Sequence, residues 1–310
     1  MILIDRAEVR RRLDRRSCIP LMREAMIALA TGKSKQLLRG IIDLDGGNAF
    51  GVMPGALEGA GFGAKLVSVF PRAEHSHQGV ILLFDEATGA PAAVIDAGEV
   101  TAIRTACASA AATDALAVPD ARTLAILGTG EQAWQHALAV PLVREIDAIR
   151  LWGRSRDRAQ ALARRIEGEL GIAATAAGSA AEAVADAAVV CTTTASPEPV
   201  LHSADIADGT HINLVGSSRA GPAEIDNALV ARARFIPDHR EGVLAQGAEF
   251  LRARAAGLVT DAHVLPEIGT VFASTTPGRL GPADVTIYKS LGSIVQDLAC
   301  ARYLLDGAGG

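Results

Sequence analysis

The sequence predicts an α/β protein whose later part is a doubly wound parallel sheet. From Val118-Pro119-Asp120 onward, short apolar runs alternate with helical ones: "RTLAILG", a helix, "AIRLWGR", a helix through "RAQALARRIEGEL", then "AVVCTTTA", "GTHINLVGS" and "ARFIPDH". Such alternation is what crossover-connected parallel strands require. The first third lacks this rhythm, because its β-like runs follow one another with only glycine or turn residues between them. A boundary near Pro119 therefore separates residues 1–118, a mixed unit, from the alternating unit.

In chain order, the spacing of Val9, Leu13 and Ile19 predicts a helix from about Arg6 to Ala30. "RGIIDL", "NAFGVMPG", "GFGAKLVSVF" and "GVILLFD" are strand candidates, and "TGAPAAVID" reads as a hairpin turn and a further strand. "AGEVTAIRTACASAAATDALA" is a helix with an acidic residue in its first turn. Its alanines favour the helical state and allow close packing.

Bulk composition narrows the function classes. The chain has 310 residues, 49% hydrophobic and 21% charged, with a formal charge of −5, which describes a globular protein and excludes a disordered one. The basic run Arg10-Arg11-Arg12 with Arg15-Arg16 reads as a solvated helix face rather than a nucleic-acid contact. Cys18, Cys107, Cys191 and Cys300 are far apart, and the pair His75-Ser-His77 lacks metal-ligand spacing, so no metal is expected. The charged N-terminus is no signal peptide and no apolar run is long and clean enough to span a bilayer. A cytoplasmic location follows as the expectation, with no membrane or nucleic-acid partner.

"TLAILGTGEQA" carries the sharpest signal. Gly-x-Gly-x-x-Ala here closes an apolar strand and opens a helix, which is the context a dinucleotide cradle needs. Gly128 allows the tight turn, Gly130 lets the backbone approach a pyrophosphate, and Ala133 keeps helix and strand close, while the helix N-terminus favours an anion. Thr129, Glu131 and Gln132 complete the candidate loop, and Thr192 at the end of "AVVCTTTA" is a further cofactor candidate. The next strand ends in Gly153, Arg154, Ser155 and Arg156 where an NAD site has Asp or Glu. A guanidinium and a hydroxyl suit a 2′-phosphate, so NADP(H) is favoured over NAD(H). The competing reading is that both arginines merely solvate a helix start.

Other polar residues sit among apolar or glycine neighbours: Arg39, Lys65, His77, Gln78, Arg104, Ser217 and Ser218. Lys65 lies mid-strand, where its side chain either alternates outward to solvent or serves a site. Arg104 lies on a helix of small residues, and its long cation either snorkels to the surface or points into a pocket. His77 reads equally as a pocket residue and as a loop histidine without a role.

Five stretches together resemble the ornithine cyclodeaminase/mu-crystallin family: "GVMPGALEGAGFGAKLVSVF", "SHQGVILLFDEATGAPAAVIDAGEVTAIRTACASAAAT", "LGTGEQA", "INLVGSSRAGPAEID" and "DVTIYKSLGSIVQDLACA". The resemblance runs in order over nearly the whole chain. It implies a homodimer in which a Rossmann domain, residues 119–288, is inserted into a mixed α/β substrate-binding and dimerisation domain. Residues 289–310 then return to that domain as a helix around Gly292 to Leu305. It further implies that Arg39, Lys65 and Arg104 hold a substrate carboxylate; His77 and Gln78 are candidates for lining the pocket. Ser290 in "KSLG" would lie near the nicotinamide, although a plain helix start after a strand fits those residues as well.

Two positions depart from the cyclodeaminases of the family, which carry an Asp in a "VGGD" loop and a Glu ahead of "MP". Ser218 and Gly51 stand there in this chain. A hydroxyl is a poor base and glycine offers none, which weakens the cyclodeaminase reading; the serine-arginine version of the loop and "GVMP" instead resemble the mu-crystallin-type ketimine reductases. The expected activity is NADPH-dependent reduction of a small α-imino acid: Δ1-pyrroline-2-carboxylate, Δ1-piperideine-2-carboxylate or an acyclic imine of a 2-oxo acid. Lys65, Arg104 and Ser218 are its candidate catalytic residues. The alternatives are an NAD-dependent cyclodeaminase or alanine dehydrogenase, and an NADP-dependent binding protein with little turnover.

Overall fold

The structure is a computed structural model describing residues 1–70, 73 and 77–307, and of His77 the backbone alone. Its elements begin with β1 (Ile2–Ile4), α1 (Arg6–Arg12), α2 (Arg15–Ala30), β2 (Ser34–Gln36), β3 (Gly40–Leu44), β4 (Asn48–Leu57), β5 (Gly61–Val69), β6 (His77–Phe84), β7 (Pro91–Asp96) and α3 (Ala97–Leu116). The alternating part follows: β8 (Thr123–Leu127), α4 (Glu131–Ala139), β9 (Ala148–Trp152), α5 (Arg156–Leu170), β10 (Ala173–Ala176), α6 (Ala180–Val184), β11 (Val189–Thr192) and β12 (His211–Leu214). Then come α7 (Asn227–Arg232), β13 (Arg234–Pro237), α8 (Arg240–Gln246), α9 (Ala248–Ala255), α10 (Ile268–Phe272), β14 (Thr286–Lys289) and α11 (Ile294–Asp306). The chain divides into two compact units, one of Met1–Thr105 with Ser293–Gly310 and one of Ala106–Gly292.

The first unit holds a mixed seven-stranded sheet, ordered β1-β7-β6-β5-β4-β2 with β3 also paired to β4. Only β1 and β7 run parallel in it. Side chains alternate across a pleated sheet, and the row Met53–Lys65–Ile81–Ile95 lies across four strands on the buried face. Helices α2 and α11 pack on this unit through Met22, Met26, Val295 and Leu298, all buried.

The helix expected from Arg6 to Ala30 is two helices. Asp14 has extended backbone angles (φ −74°, ψ 154°), and its carboxylate accepts from the Ser17 N–H, which starts α2 afresh. Periodicity hid the break because Val9, Leu13, Cys18 and Ile19 are buried on both sides of it. Arg10, Arg11 and Arg16 of the basic run are exposed, as a solvated face requires, and arginines of α1 also form ion pairs. Arg6 and Arg10 bind buried Glu99 at 3.0 and 2.9 Å, and Arg12 binds Glu8 at 2.7 Å and donates to the Leu304 carbonyl. Burial opposes ionisation of Glu99, but the two guanidinium groups outweigh it and hold the carboxyl below its usual range.

The second unit is a seven-stranded, all-parallel sheet in the order β10-β9-β8-β11-β12-β14-β13. Leu124 and Ile126 of β8 pack with Ala133, Trp134 and Ile166 on one face. Ala125 and Leu127 pack with Ala183, Leu229 and Phe250 on the other. A strand buried on both faces by helices is the doubly wound arrangement the alternation predicts. The chain passes from β8 outward to β9 and β10, then returns to β11 on the opposite side of β8. That reversal makes the carboxyl ends of β8 and β11 the switch point where such folds bind ligands. Among the described residues, no helix is long and apolar enough to cross a membrane.

Candidate active site

The second unit supplies a dinucleotide cradle. Gly128 ends β8 with φ +130°, a conformation L side chains rarely adopt, and a Cβ there would stand 2.4 Å from Thr193 Oγ1 and 2.8 Å from the Thr193 carbonyl oxygen. Gly130 is the N-cap of α4 and no side chain caps its amides, so the first turn presents N–H groups for an external anion. A Cβ on Gly130 would meet no heavy atom within 4 Å. Ala133 is buried between helix and sheet. Gly128→Ala is expected to cost about 2–4 kcal/mol through strain and overpacking, and to abolish dinucleotide binding, as read by thermal unfolding and fluorescence titration.

The remaining cofactor candidates divide by what they touch. Glu131 accepts from Gln135 at 2.7 Å, and the Gln132 carbonyl meets His136 Nδ1 at 2.7 Å. Gln132 Oε1 and Ser290 Oγ are buried polar atoms without a hydrogen-bond partner, as an open ligand site leaves them. Thr192 is buried and donates to Glu224 at 2.7 Å. Arg154, Ser155 and Arg156 are exposed at the end of β9. Ser155 Oγ also caps α5 by accepting from the Arg158 N–H, which gives that hydroxyl a role in the helix start. A Cβ on Gly153 would lie 2.7 Å from the Thr129 methyl. Lys289 of "KSLG" is buried, paired with Glu249 at 2.8 Å and donating to the Ser217 carbonyl at 2.6 Å. Glycine cradle, uncapped helix start and orphaned hydroxyl together fit a nicotinamide dinucleotide.

The first unit supplies a buried cationic cluster. Lys65, 3% exposed, donates to Thr101 Oγ1 at 2.5 Å and to Asp297 Oδ1 at 3.2 Å. Arg104, 4% exposed, donates through Nε to the same Asp297 oxygen at 3.2 Å and through Nη1 to Gln296 Oε1 at 2.9 Å. Thr101 and Arg104 share a face of α3 because they are three residues apart. Asp297 sits in the first turn of α11, where the helix dipole favours a carboxylate, and its Oδ2 is buried without a hydrogen-bond partner. Two cations thus surround one carboxylate, leaving a net positive charge inside the fold.

Burial brings Lys65 down to about 8, with the Arg104 and Arg39 charges acting in the same direction and Asp297 opposing them. Half-buried Arg39 is therefore within electrostatic reach of Lys65. Gln78 is exposed and, being three residues from Ile81 along β6, occupies the sheet face opposite Lys65. The His77 side chain and His75 lie outside the described residues. Ser218 is exposed on the loop after β12, whose neighbour Ser217 is buried and donates to the Pro222 carbonyl at 2.5 Å. Among the described residues, no group of three or more His, Cys, Asp or Glu is placed to hold a metal ion. Sequence reasoning missed Asp297 and Gln296. Their signal was a Gln-Asp pair inside the otherwise apolar "IVQDLACA".

Comparisons with known proteins identify the family. A Delta(1)-pyrroline-2-carboxylate reductase of Bacillus cereus is 34% identical over 263 residues, covering 83% of this chain and 81% of that protein. The ketimine reductase mu-crystallin of Mus musculus is 35% identical over 262 residues, covering 83% and 79%. Among solved structures, the Thermococcus litoralis Delta(1)-pyrroline-2-carboxylate reductase in complex with NADH and L-proline superposes with a TM-score of 0.96 at 30% identity, covering 99% of this chain and 97% of that one. Residues 1–310 match the ornithine cyclodeaminase/mu-crystallin family throughout, and the chain belongs to it.

Proposed function

We propose that this protein reduces small α-imino acids with NADPH. At the coarser level the chain is an NAD(P)-dependent oxidoreductase acting on imine or CH–NH substrates. The observation that carries the finer reading is the buried Lys65–Arg104–Asp297 cluster with its excess positive charge. A desolvated, incompletely neutralised pair of cations attracts a carboxylate strongly. Arg104, with Arg39, binds the substrate carboxylate and so fixes the α-carbon. Lys65, its ammonium held near neutral pH, donates a proton to the imine nitrogen and raises the electrophilicity of the carbon. When bound, the dinucleotide supplies the hydride that this carbon accepts. Ser218, on its exposed loop, offers a hydroxyl to substrate or water but no carboxylate to act as the base a cyclodeaminase needs.

The preference for NADPH is supported by Arg154 and Arg156 at the end of β9. The homodimer is supported by the second face and edge of the first unit's sheet, where Ile41, Ile42, Leu44 and Phe62 are 39, 58, 41 and 39% exposed. Apolar surface of this kind on one sheet marks an association face, and sedimentation of the purified chain reads the outcome.

The deciding assay is dinucleotide oxidation with Δ1-pyrroline-2-carboxylate, Δ1-piperideine-2-carboxylate and acyclic 2-imino acids, each with NADPH and NADH. Turnover of at least one imine with a lower KM for NADPH is the expected result. Arg154→Ala should raise the KM for NADPH by about 10–100-fold, the worth of a charge-assisted phosphate contact, and leave that for NADH unchanged. Equal use of both dinucleotides would overturn the role of Arg154, and release of ammonia from ornithine without imine turnover would overturn the reductase reading.

A further inference from the structure

We propose that Glu224, which no sequence motif singled out, is the positioning residue of the dinucleotide site. Its carboxylate is fully buried and collects four donors: Thr192 Oγ1 at 2.7 Å, Gly216 N at 2.7 Å, Thr194 N at 2.6 Å and Thr194 Oγ1 at 2.8 Å. Four donors saturate a carboxylate's lone pairs. They come from two segments, the one leaving β11 and the one leaving β12, at the carboxyl edge of the sheet where this fold binds its cofactor.

The consequence reaches the glycine loop through one residue. Thr193, flanked by the two threonines that Glu224 holds, donates its N–H to the Leu127 carbonyl at 2.7 Å. Its Oγ1 and carbonyl oxygen occupy the space a Cβ on Gly128 would need. The wall against which Gly128 turns is therefore set by Glu224. Gly216 belongs to the same device. A Cβ there would stand 2.4 Å from Glu224 Oε1 and 2.1 Å from the Thr194 carbonyl oxygen, so only glycine lets the β12 segment close on the carboxylate.

Glu224 is itself anchored. Its N–H donates to Glu249 Oε1 at 3.2 Å, and its carbonyl accepts from Val200 and Leu201 at 2.9 and 3.1 Å. Glu249 pairs with Lys289, which holds the Ser217 carbonyl. Lys289 of "KSLG" is thus joined to the Glu224 backbone through Glu249. Such preorganisation serves a ligand whose contacts are mostly backbone amides, because those amides cannot adjust by side-chain rotation.

The role rests on the dinucleotide reading of the Gly128 loop, and the test separates the two. Glu224→Gln keeps the shape but turns an amide NH2 toward a backbone N–H, and Thr194→Val removes one donor. Fluorescence titration with NADPH and NADH should show the dissociation constant raised about tenfold in Glu224→Gln and about threefold in Thr194→Val. The imino-acid KM and the kcat at saturating dinucleotide should stay within about twofold, since a positioning role on the cofactor is saturable. Parent-like dinucleotide binding in both variants overturns the role of Glu224. Equal losses in imino-acid KM, kcat and dinucleotide affinity also overturn it, by showing a general effect on the fold. If Glu224→Gln does not fold, Thr194→Val decides alone. A parent chain that binds neither dinucleotide overturns the Gly128 reading, and the Glu224 role with it.

Discussion

Lys65→Met is expected to lower kcat/KM for an α-imino acid by about 10²–10⁴-fold, the usual worth of a positioned general acid, while dinucleotide binding stays intact. Methionine approximates the volume of the lysine stem and suits a row already made of Met53, Ile81 and Ile95. The fold should tolerate it for a specific reason: Asp297 keeps Arg104 as its partner at 3.2 Å, so no buried carboxylate is stranded. The loss should fall mainly on kcat, because Arg104 and Arg39 remain to bind the carboxylate. Arg104→Met should show the opposite emphasis, with KM raised strongly and Lys65 still able to donate. Stopped-flow reduction at saturating NADPH separates the two. A Lys65→Met enzyme within tenfold of the parent would remove Lys65 from the chemistry and leave it as a charge in the carboxylate site.

The cofactor half of this arrangement was legible in the sequence because its requirements are local. A strand, two glycines, an alanine and a helix start lie within one short segment, and each constraint is a property of backbone geometry at that place. Lys65 and Arg104 stood out as charges among apolar neighbours. Whether each faced solvent or the interior depended on strand register and helix packing, which long-range pairing decides. The structure resolves both toward burial. Asp297 was harder, since its meaning comes from two cations 232 and 193 residues away in the chain. Glu224 was harder still, because its four donors come from segments joined only in the folded sheet. The break at Asp14 was missed for a local reason, because a capping aspartate and a surface aspartate look alike when the apolar spacing continues past them.

Asp297→Asn is expected to move the alkaline limb of the kcat/KM profile to lower pH by about 1–3 pH units. In the parent, Lys65 carries its proton up to about 8, so activity that depends on its acid form falls above that pH. The groups facing it are Arg104 and Thr101 from α3, Asp297 from α11 and the Arg39 charge. Of the charges only Asp297 favours the ammonium, alongside the Thr101 hydroxyl that accepts from it; without Asp297, burial, Arg104 and Arg39 all act toward deprotonation. The variant should therefore lose little at pH 6 and much at pH 8, whereas a purely structural loss would scale the rate equally at both. Stability gives an independent reading with a fixed sign. A lysine whose folded pKa lies below its unfolded value binds fewer protons when folded, so stability rises with pH between the two values. In the parent that window runs from about 8 to the ordinary lysine value of 10.5; in Asp297→Asn it should open at lower pH, because releasing the Lys65 proton relieves repulsion from Arg104. Thermal unfolding of the variant at pH 6, 7 and 8 should thus show stability climbing where the parent's Lys65 contribution is still flat. A variant whose activity limb and stability window both stay at the parent's pH would show that Asp297 does not govern the Lys65 proton, and the cluster would then be a carboxylate clamp without an acid.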